Sequence, residues 1–302
     1  MASKHPFEPI RTKNMSNRAN TLRLFVKIAK LISYFLIYQF VFLTAGRICS
    51  YLAYIFCVGD VTFALFESEP SALMTQYATQ GVAVGMFLSS LAMITHLLAF
   101  GYVKIPRGFL SEVKKRVLLL SVLFIGCMMT TFNILATWLG LENKLEDTFD
   151  YIMKNDLGVF TIAVLAPVLE ELLFRGAVQG ALMRFFKHPW AGILVASLLF
   201  GIIHLNPVQV FYATCLGVGF GWLYYRTGSL LPAILGHIIN NSLAVIANLL
   251  YGSEMNGQTT GDAQVDASMV LGATVAMLVF AWAIDRIQPS VPQPLHDADE
   301  ET

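Results

Sequence analysis

Charge is scarce in this sequence: 13% of its 302 residues are Asp, Glu, Lys or Arg, and 56% are hydrophobic. A soluble domain carries about 25% charged residues, so long apolar runs must account for the deficit. Formal net charge is zero, which excludes the broad basic field that nucleic acid attracts; no nucleic-acid partner is expected. Cysteine is also sparse. Cys49, Cys57, Cys127 and Cys215 form no CxxC pair, and each lies in or beside an apolar run. They read as small buried apolar residues, with no disulfide framework and no cysteine metal site. A cleavable leader is not expected either. The polar stretch from Met1 to about Lys30 precedes an apolar run that exceeds the roughly 7–15 residues of a leader core.

What is present is a series of apolar segments. A spanning helix needs about 20 mostly apolar residues. Eight candidates meet or approach that length: Leu31–Val58, Gly81–Val103, Val117–Leu139, Leu157–Met183, Trp190–Leu205, Val208–Tyr225, Leu230–Tyr251 and Ala267–Ile284. Asn206-Pro207 separates the fifth from the sixth as a tight turn. The expected fold is an all-α polytopic membrane bundle. Its parts would be a basic arm over residues 1–30, three N-terminal spans over 31–139, a core of four spans over 157–251, a last span over 267–284 and a disordered acidic tail over 288–302.

The loops alternate in charge. Arg11, Lys13, Arg18, Arg23, Lys27 and Lys30 crowd the N-terminal arm, and Lys104, Arg107, Lys114, Lys115 and Arg116 fill the second loop. Arg184 and Lys187, then Arg226, then Arg286 mark the fourth loop, the sixth and the C-terminal edge. The intervening loops are acidic: Asp60, Glu67 and Glu69; then Glu142, Glu146, Asp147, Asp150 and Asp156; then Asp262 and Asp266. The positive-inside rule puts both termini in the cytoplasm, which agrees with an even number of spans.

Three polar groups interrupt the apolar runs. The fourth segment reads Pro167-Val168-Leu169-Glu170-Glu171-Leu172-Leu173-Phe174-Arg175-Gly176. Each charge costs roughly 2.5–3.5 kcal/mol near the centre of a spanning helix, so all three should face the bundle interior. Glu171 and Arg175 are i and i+4, share a face and are expected to pair. Glu170 is turned about 100° away and has no cation on its own helix, which leaves it for chemistry. Pro167 frees a carbonyl one turn earlier and should kink the helix. Gly176 and Gly180 offer a small-xxx-small face for a neighbouring helix. The fifth segment ends Phe200-Gly201-Ile202-Ile203-His204, and the seventh carries His237-Ile238-Ile239-Asn240-Asn241. His237 and Asn241 share a helical face. Taken alone, such residues also suit interhelical hydrogen bonding.

Depth links them. Glu170 lies 14 residues from Arg184, His204 15 from Pro189 and Asn241 13 from Gly228. At 1.5 Å per residue these are roughly 21, 22 and 20 Å from the cytoplasmic edge, with His237 one turn shallower. One polar layer within a core about 30 Å thick points to a shared, water-reaching cavity.

The ordered set Glu170-Glu171-x-x-x-Arg175, Phe200-x-x-x-His204 and His237-x-x-x-Asn241 resembles the CPBP family. These are the CAAX-protease and bacteriocin-processing intramembrane endopeptidases, similar to the Ras-converting endopeptidases and also called the ABI family. The resemblance implies that Glu170 and His204 activate a water, that His237 and Asn241 stabilise the oxyanion, and that Glu171 and Arg175, with Asn240 nearby, support the site. It implies no cofactor in a glutamate mechanism. Zinc held by Glu170, His204 and His237 is the alternative, although no HExxH spacing occurs. A proton-coupled transporter and a non-catalytic scaffold or immunity protein are readings of a different class. No repeat between the halves favours transport. Expected partners are membrane lipids and a peptide or protein substrate, prenylated or signal-like, in the inner membrane if the host is bacterial.

The loop charges predict that cysteines introduced at Thr12 and Gln293 react with impermeant thiol reagents only from the cytoplasm, and one at Asp150 only from outside. Opposite labelling of Thr12 and Asp150 inverts the topology.

Overall fold

The structure, a computed structural model, describes residues 17–58, 72–104, 113–144, 146–186, 188–251 and 259–288. The start of the basic arm, the acidic residues Asp60, Glu67 and Glu69, and the tail from Pro289 lie outside the described residues. Among the described residues the fold is all α. The helices are α1 (Asn17–Val58), α2 (Ala72–Ala99), α3 (Lys115–Trp138), the short α4 (Glu146–Met153), α5 (Asp156–Phe185), α6 (Pro189–Ile202), α7 (Pro207–Thr227), α8 (Leu231–Tyr251) and α9 (Ala263–Ile287).

Helices stand at all eight apolar segments read from the sequence, the fifth of them short. Six of them, α1, α2, α3, α5, α8 and α9, are long and apolar enough to cross a membrane. The outer surfaces of α1 and α9 are apolar and unburied, with Phe40, Phe56, Leu271 and Trp282 all exposed. Such surfaces are stable only in lipid. The protein is an integral, multi-pass membrane protein.

Several boundaries differ from the sequence reading. The first helix starts at Asn17, inside the stretch read as a polar arm, so its basic residues from Arg23 to Lys30 are helical. Its 42 residues span about 63 Å, twice the hydrocarbon thickness of roughly 30 Å. Cys49 and Cys57 are exposed rather than buried, because they lie on the outward face of α1. The fifth apolar segment stops as a helix at Ile202, leaving His204 in the turn beyond it. That turn has a cause. Pro207 opens α7 and excludes Asn206 from helical backbone; Asn206 is extended, at φ −120° and ψ 119°. Leu205 takes the left-handed region at φ +53° to close the reversal.

With 14 residues, α6 is about 21 Å long. Asn206, fully buried, ties the turn after α6 to the segment after α3: its Oδ1 accepts from Lys144 N at 3.0 Å and its Nδ2 donates to Asn143 Oδ1 at 2.9 Å.

Two apolar cores share α7. One joins α1 and α2 to α5, α6 and α7 through Leu31, Leu97, Phe174, Ile193, Phe200 and Tyr224. The other joins α3, α7, α8 and α9 through Phe124, Met128, Phe220, Ala233 and Ile284. At one end the bundle is clamped by Arg226, whose guanidinium pairs with Asp285 at 2.6 Å, and by Lys114 Nζ, which donates to Ile287 O at 2.9 Å.

The α1–α2 crossing depends on glycine. A Cβ on Gly46 would collide with the Gly81 carbonyl, and one on Gly85 would lie 2.6 Å from Phe42 O. Backbone contact this close is available only to small residues. Gly46→Val is expected to destabilise the protein by about 1–3 kcal/mol through overpacking, read as a lower unfolding temperature in detergent. An unchanged unfolding temperature contradicts the crossing.

Candidate active site

The paired carboxylates sit on a helix whose register is broken twice. Within α5, Thr161–Leu165 and Leu172–Gln179 are π-helical, and Ala166–Glu171 between them is α-helical. π-helical stretches commonly mark functional positions. The first has a visible origin. Ala166 N–H donates to Thr161 O, the i→i−5 pattern. The next donor in that register would be residue 167, but Pro167 has no N–H, so the Ile162 carbonyl is orphaned. Asn241 Nδ2 supplies the missing donor at 3.0 Å. The carbonyl freed by Pro167 is thus bound by a side chain from α8 rather than left at a kink.

Beyond that junction, Glu171, Arg175 and Gln179 follow at four-residue intervals along one stripe, all fully buried. Glu171 Oε1 lies 3.1 Å from Arg175 Nη1 and 2.8 Å from His237 Nδ1. The expected Glu171–Arg175 pair is present, but the same oxygen is shared with the histidine. Arg175 makes no aligned hydrogen bond among the described residues. Its guanidinium instead lies over the rings of Phe200 and Phe220, at 4.4 and 5.3 Å, within the roughly 6 Å of a cation–π contact. Room for it comes from α7: a Cβ on Gly217 would lie 3.0 Å from Arg175 Nη2, and one on Gly221 would lie 2.6 Å from Gln179 Oε1. Gln179 Nε2 donates to the Gly221 carbonyl at 2.8 Å. The close-packed glycine pair is therefore Gly217 and Gly221. Gly176 does approach Val103 closely, but the nearest atom to a Cβ on Gly180 is 3.6 Å away, so the Gly176–Gly180 face is not the packing stripe.

Glu170 is turned out of this stripe as the helical wheel requires, with its side chain 17% exposed. His237 Nε2 lies 3.6 Å from Glu170 Oε2. That is beyond hydrogen-bond length. The His237 ring is stacked on Phe220, with centroids 5.0 Å apart and planes at 19°, and meets Phe200 edge-on. His237 is thus held by a carboxylate and two aromatic rings, with its second nitrogen aimed at another carboxylate.

His204 joins through Phe200, whose ring it meets edge-on at 5.1 Å. Its Nδ1 lies 2.9 Å from Phe200 O. A carbonyl can only accept, so Nδ1 carries a proton and donates to it, which leaves Nε2 pointing away from this contact. Among the described residues no hydrogen bond or ion pair links His204 to Glu170. Asn240 and Asn241 form a relay: Tyr212 donates to Asn240 Oδ1 at 2.8 Å, and Asn240 Nδ2 donates to Asn241 Oδ1 at 2.9 Å.

The structure thus brings Glu170, Glu171, Arg175 and His237 together, sets His204 on the shared Phe200, and joins Asn241 to the same helix about two turns before the carboxylates. Sequence reading quoted Phe200 only as part of a motif and gave no role to Phe220, Gln179, Tyr212 or Gly217. Gly217-x-x-x-Gly221 was a legible packing signal, whereas nothing local marked Phe220 or Tyr212. For zinc the donor set does not fit. Among the described residues no three His, Cys, Asp or Glu side chains are grouped to hold a metal ion, and a zinc site needs at least three protein ligands.

Residues 155–243 match the family described as type II CAAX prenyl endopeptidase Rce1-like. This stretch contains every residue of the site above. The Bacillus subtilis (strain 168) protein named "Putative membrane peptidase YdiL" is 32% identical over 113 residues, 36% of this chain and 46% of that protein. The matched region thus spans about half the length of that curated relative. No solved structure matches the chain. These findings give a distant likeness to the Rce1-like and CPBP proteins and no particular member.

Glu171→Gln removes the charge that Arg175 and His237 share. Breaking a buried ion pair costs about 3–5 kcal/mol, so the variant is expected to unfold at markedly lower temperature or to accumulate poorly. Wild-type thermal stability for Glu171→Gln contradicts this account.

Proposed function

We propose that the chain is an intramembrane endopeptidase that hydrolyses a peptide bond of a membrane-associated substrate by glutamate-activated water. The observation that carries this reading is the His237 imidazole held between two carboxylates, 2.8 Å from buried Glu171 and 3.6 Å from the partly exposed Glu170. One carboxylate orients the ring, and the other faces the space where a reacting group would lie.

In this mechanism Glu170 takes a proton from a water whose position is held by the free Nε2 of His204. The water oxygen attacks the scissile carbonyl. The oxyanion accepts from His237 Nε2–H and from the second Nδ2–H of Asn241, the first being bound to Ile162 O. The C–N bond then breaks and Glu170 returns the proton to the leaving amine. For this step His237 must carry protons on both ring nitrogens, with Nδ1–H bound to Glu171 and Nε2–H free to donate. The gap of 3.6 Å to Glu170 leaves the Nε2–H to a substrate oxygen. Asn240 is a positioning residue that acts through Asn241.

We further propose eight crossings with both termini cytoplasmic. The basic residues Lys114, Lys115, Arg116, Arg184, Arg226 and Arg286 at helix ends support it. The family description makes prenylated CAAX peptides the first substrate class to test.

Purified protein should cleave a farnesylated CAAX-type peptide at a rate unaffected by exhaustive chelation. Glu170→Gln should fold normally and lose cleavage, because an amide cannot take the proton. Asn241→Ala should lose roughly 10²–10³ in rate, as for removal of one oxyanion donor. Activity abolished by chelator and restored by zinc overturns the mechanism, and full activity in Glu170→Gln overturns the assignment of the base.

A further inference from the structure

A cavity of about 750 Å³ opens between the second half of α3, the start of α7, the second half of α8 and the start of α9. It lies at the end of the bundle opposite the Arg226–Asp285 clamp. Its volume falls within the roughly 300–1,000 Å³ of ligand sites, yet Glu170, His204 and His237 do not line it. Asn240 and Tyr212 do, and Asn240 is bonded to Asn241. Of two adjacent asparagines on α8, one therefore faces the chamber while the other holds the carbonyl orphaned by Pro167.

The lining selects a ligand class. No lysine or arginine contributes to it, so it offers no counter-charge to a phosphate or a headgroup carboxylate. Its one carboxylate, Asp266, is occupied by Thr260, accepting from the backbone N–H at 3.0 Å and the hydroxyl at 2.8 Å. The Thr130 hydroxyl donates to its own helix, at Gly126 O. What remains are the half-buried side-chain amides of Asn133 and Gln209, which make no bond to any described residue. Each can donate and accept, as a peptide group does, and neither carries charge. Met129, Ile134, Phe149 and Leu243 supply apolar surface between them. Unused amides over an apolar floor fit an uncharged peptide, in which backbone groups seek partners and side chains seek apolar contact.

We propose that this chamber binds the uncharged peptide segment flanking the scissile bond of the substrate, with Asn133 and Gln209 bonding its backbone and Asn240 linking it to the site. The proposal rests on the peptidase reading. It makes the chamber a specificity determinant: substrates long enough to enter it gain binding, and short ones do not.

The test uses the full chain in zwitterionic nanodiscs and a capped, uncharged hexapeptide of alanine, valine, serine and glycine. Calorimetric titration should show saturable binding. The double variant Asn133→Leu/Gln209→Leu, and separately Ala244→Trp, which fills the chamber, should each weaken it at least tenfold. With a cleavable substrate carrying the same segment, these variants should raise KM at least tenfold and leave kcat unchanged; with a substrate truncated before the segment, KM should not move. Thermal unfolding checks that each variant folds, and Gln209→Glu, similar in volume but charged, serves if the bulkier changes do not. Absence of wild-type binding, equal binding in folded variants, or displacement of the peptide by glycerol phosphate overturns the proposal. Hexapeptide binding that the variants weaken, with no cleavage of any substrate, keeps the chamber and removes the peptidase reading. Cleavage with a KM indifferent to the variants does the reverse.

Discussion

The site depends on one buried oxygen. Glu171 Oε1 is contacted by Arg175 at 3.1 Å and by His237 at 2.8 Å. A carboxylate in this setting cannot be solvated by water, so it must be neutralised by protein. Satisfying it draws α8 against α5 and fixes which nitrogen of His237 points at Glu170. It also leaves Arg175 to be stabilised by ring faces rather than by further acceptors, which places Phe200 and Phe220. The same two rings then position both histidines. Packing, charge balance and geometry of the site thus share a single constraint.

A second constraint works through the backbone. Pro167 removes one donor from a π-helical register, and the freed Ile162 carbonyl binds Asn241 at 3.0 Å. An irregularity in one spanning helix becomes a point of attachment for another. In lipid an unsatisfied carbonyl costs several kcal/mol, so the attachment is strong for a single hydrogen bond. The relay from Tyr212 through Asn240 extends it to α7. The ion cluster and this relay meet α8 at His237 and Asn241, one helical turn apart, and together hold that helix against α5.

The turn carrying His204 shows a related economy. A 14-residue helix ends in a tight reversal, and buried Asn206 binds the backbone of residue 144 and the side chain of Asn143. The reversal sets His204 off the helix, where its Nδ1 binds the carbonyl four residues earlier and its Nε2 is left for a water.

Much of this was legible before any coordinates. The apolar runs, the alternation of loop charge, the three intramembrane polar groups and the shared face of Glu171 and Arg175 all follow from local spacing and from the cost of charge in hydrocarbon. The exact end of α6 was not legible, because Ile202 to Leu205 stay apolar while the backbone turns; hydropathy does not register a left-handed residue. The buried fate assigned to Cys49 and Cys57 failed for a related reason, since an apolar helix in a membrane faces lipid as readily as protein. By itself the sequence determined which helices form, which residues in them could not face lipid, and that Glu170 would turn away from the Glu171–Arg175 stripe. Only the tertiary structure decided that Glu171 also holds His237, 66 residues away, that Asn241 binds a carbonyl 79 residues away, and that Gly217 and Gly221 make room for Arg175 and Gln179. Those pairings join different helices, and the period of one helix carries no record of the neighbour against which it will pack.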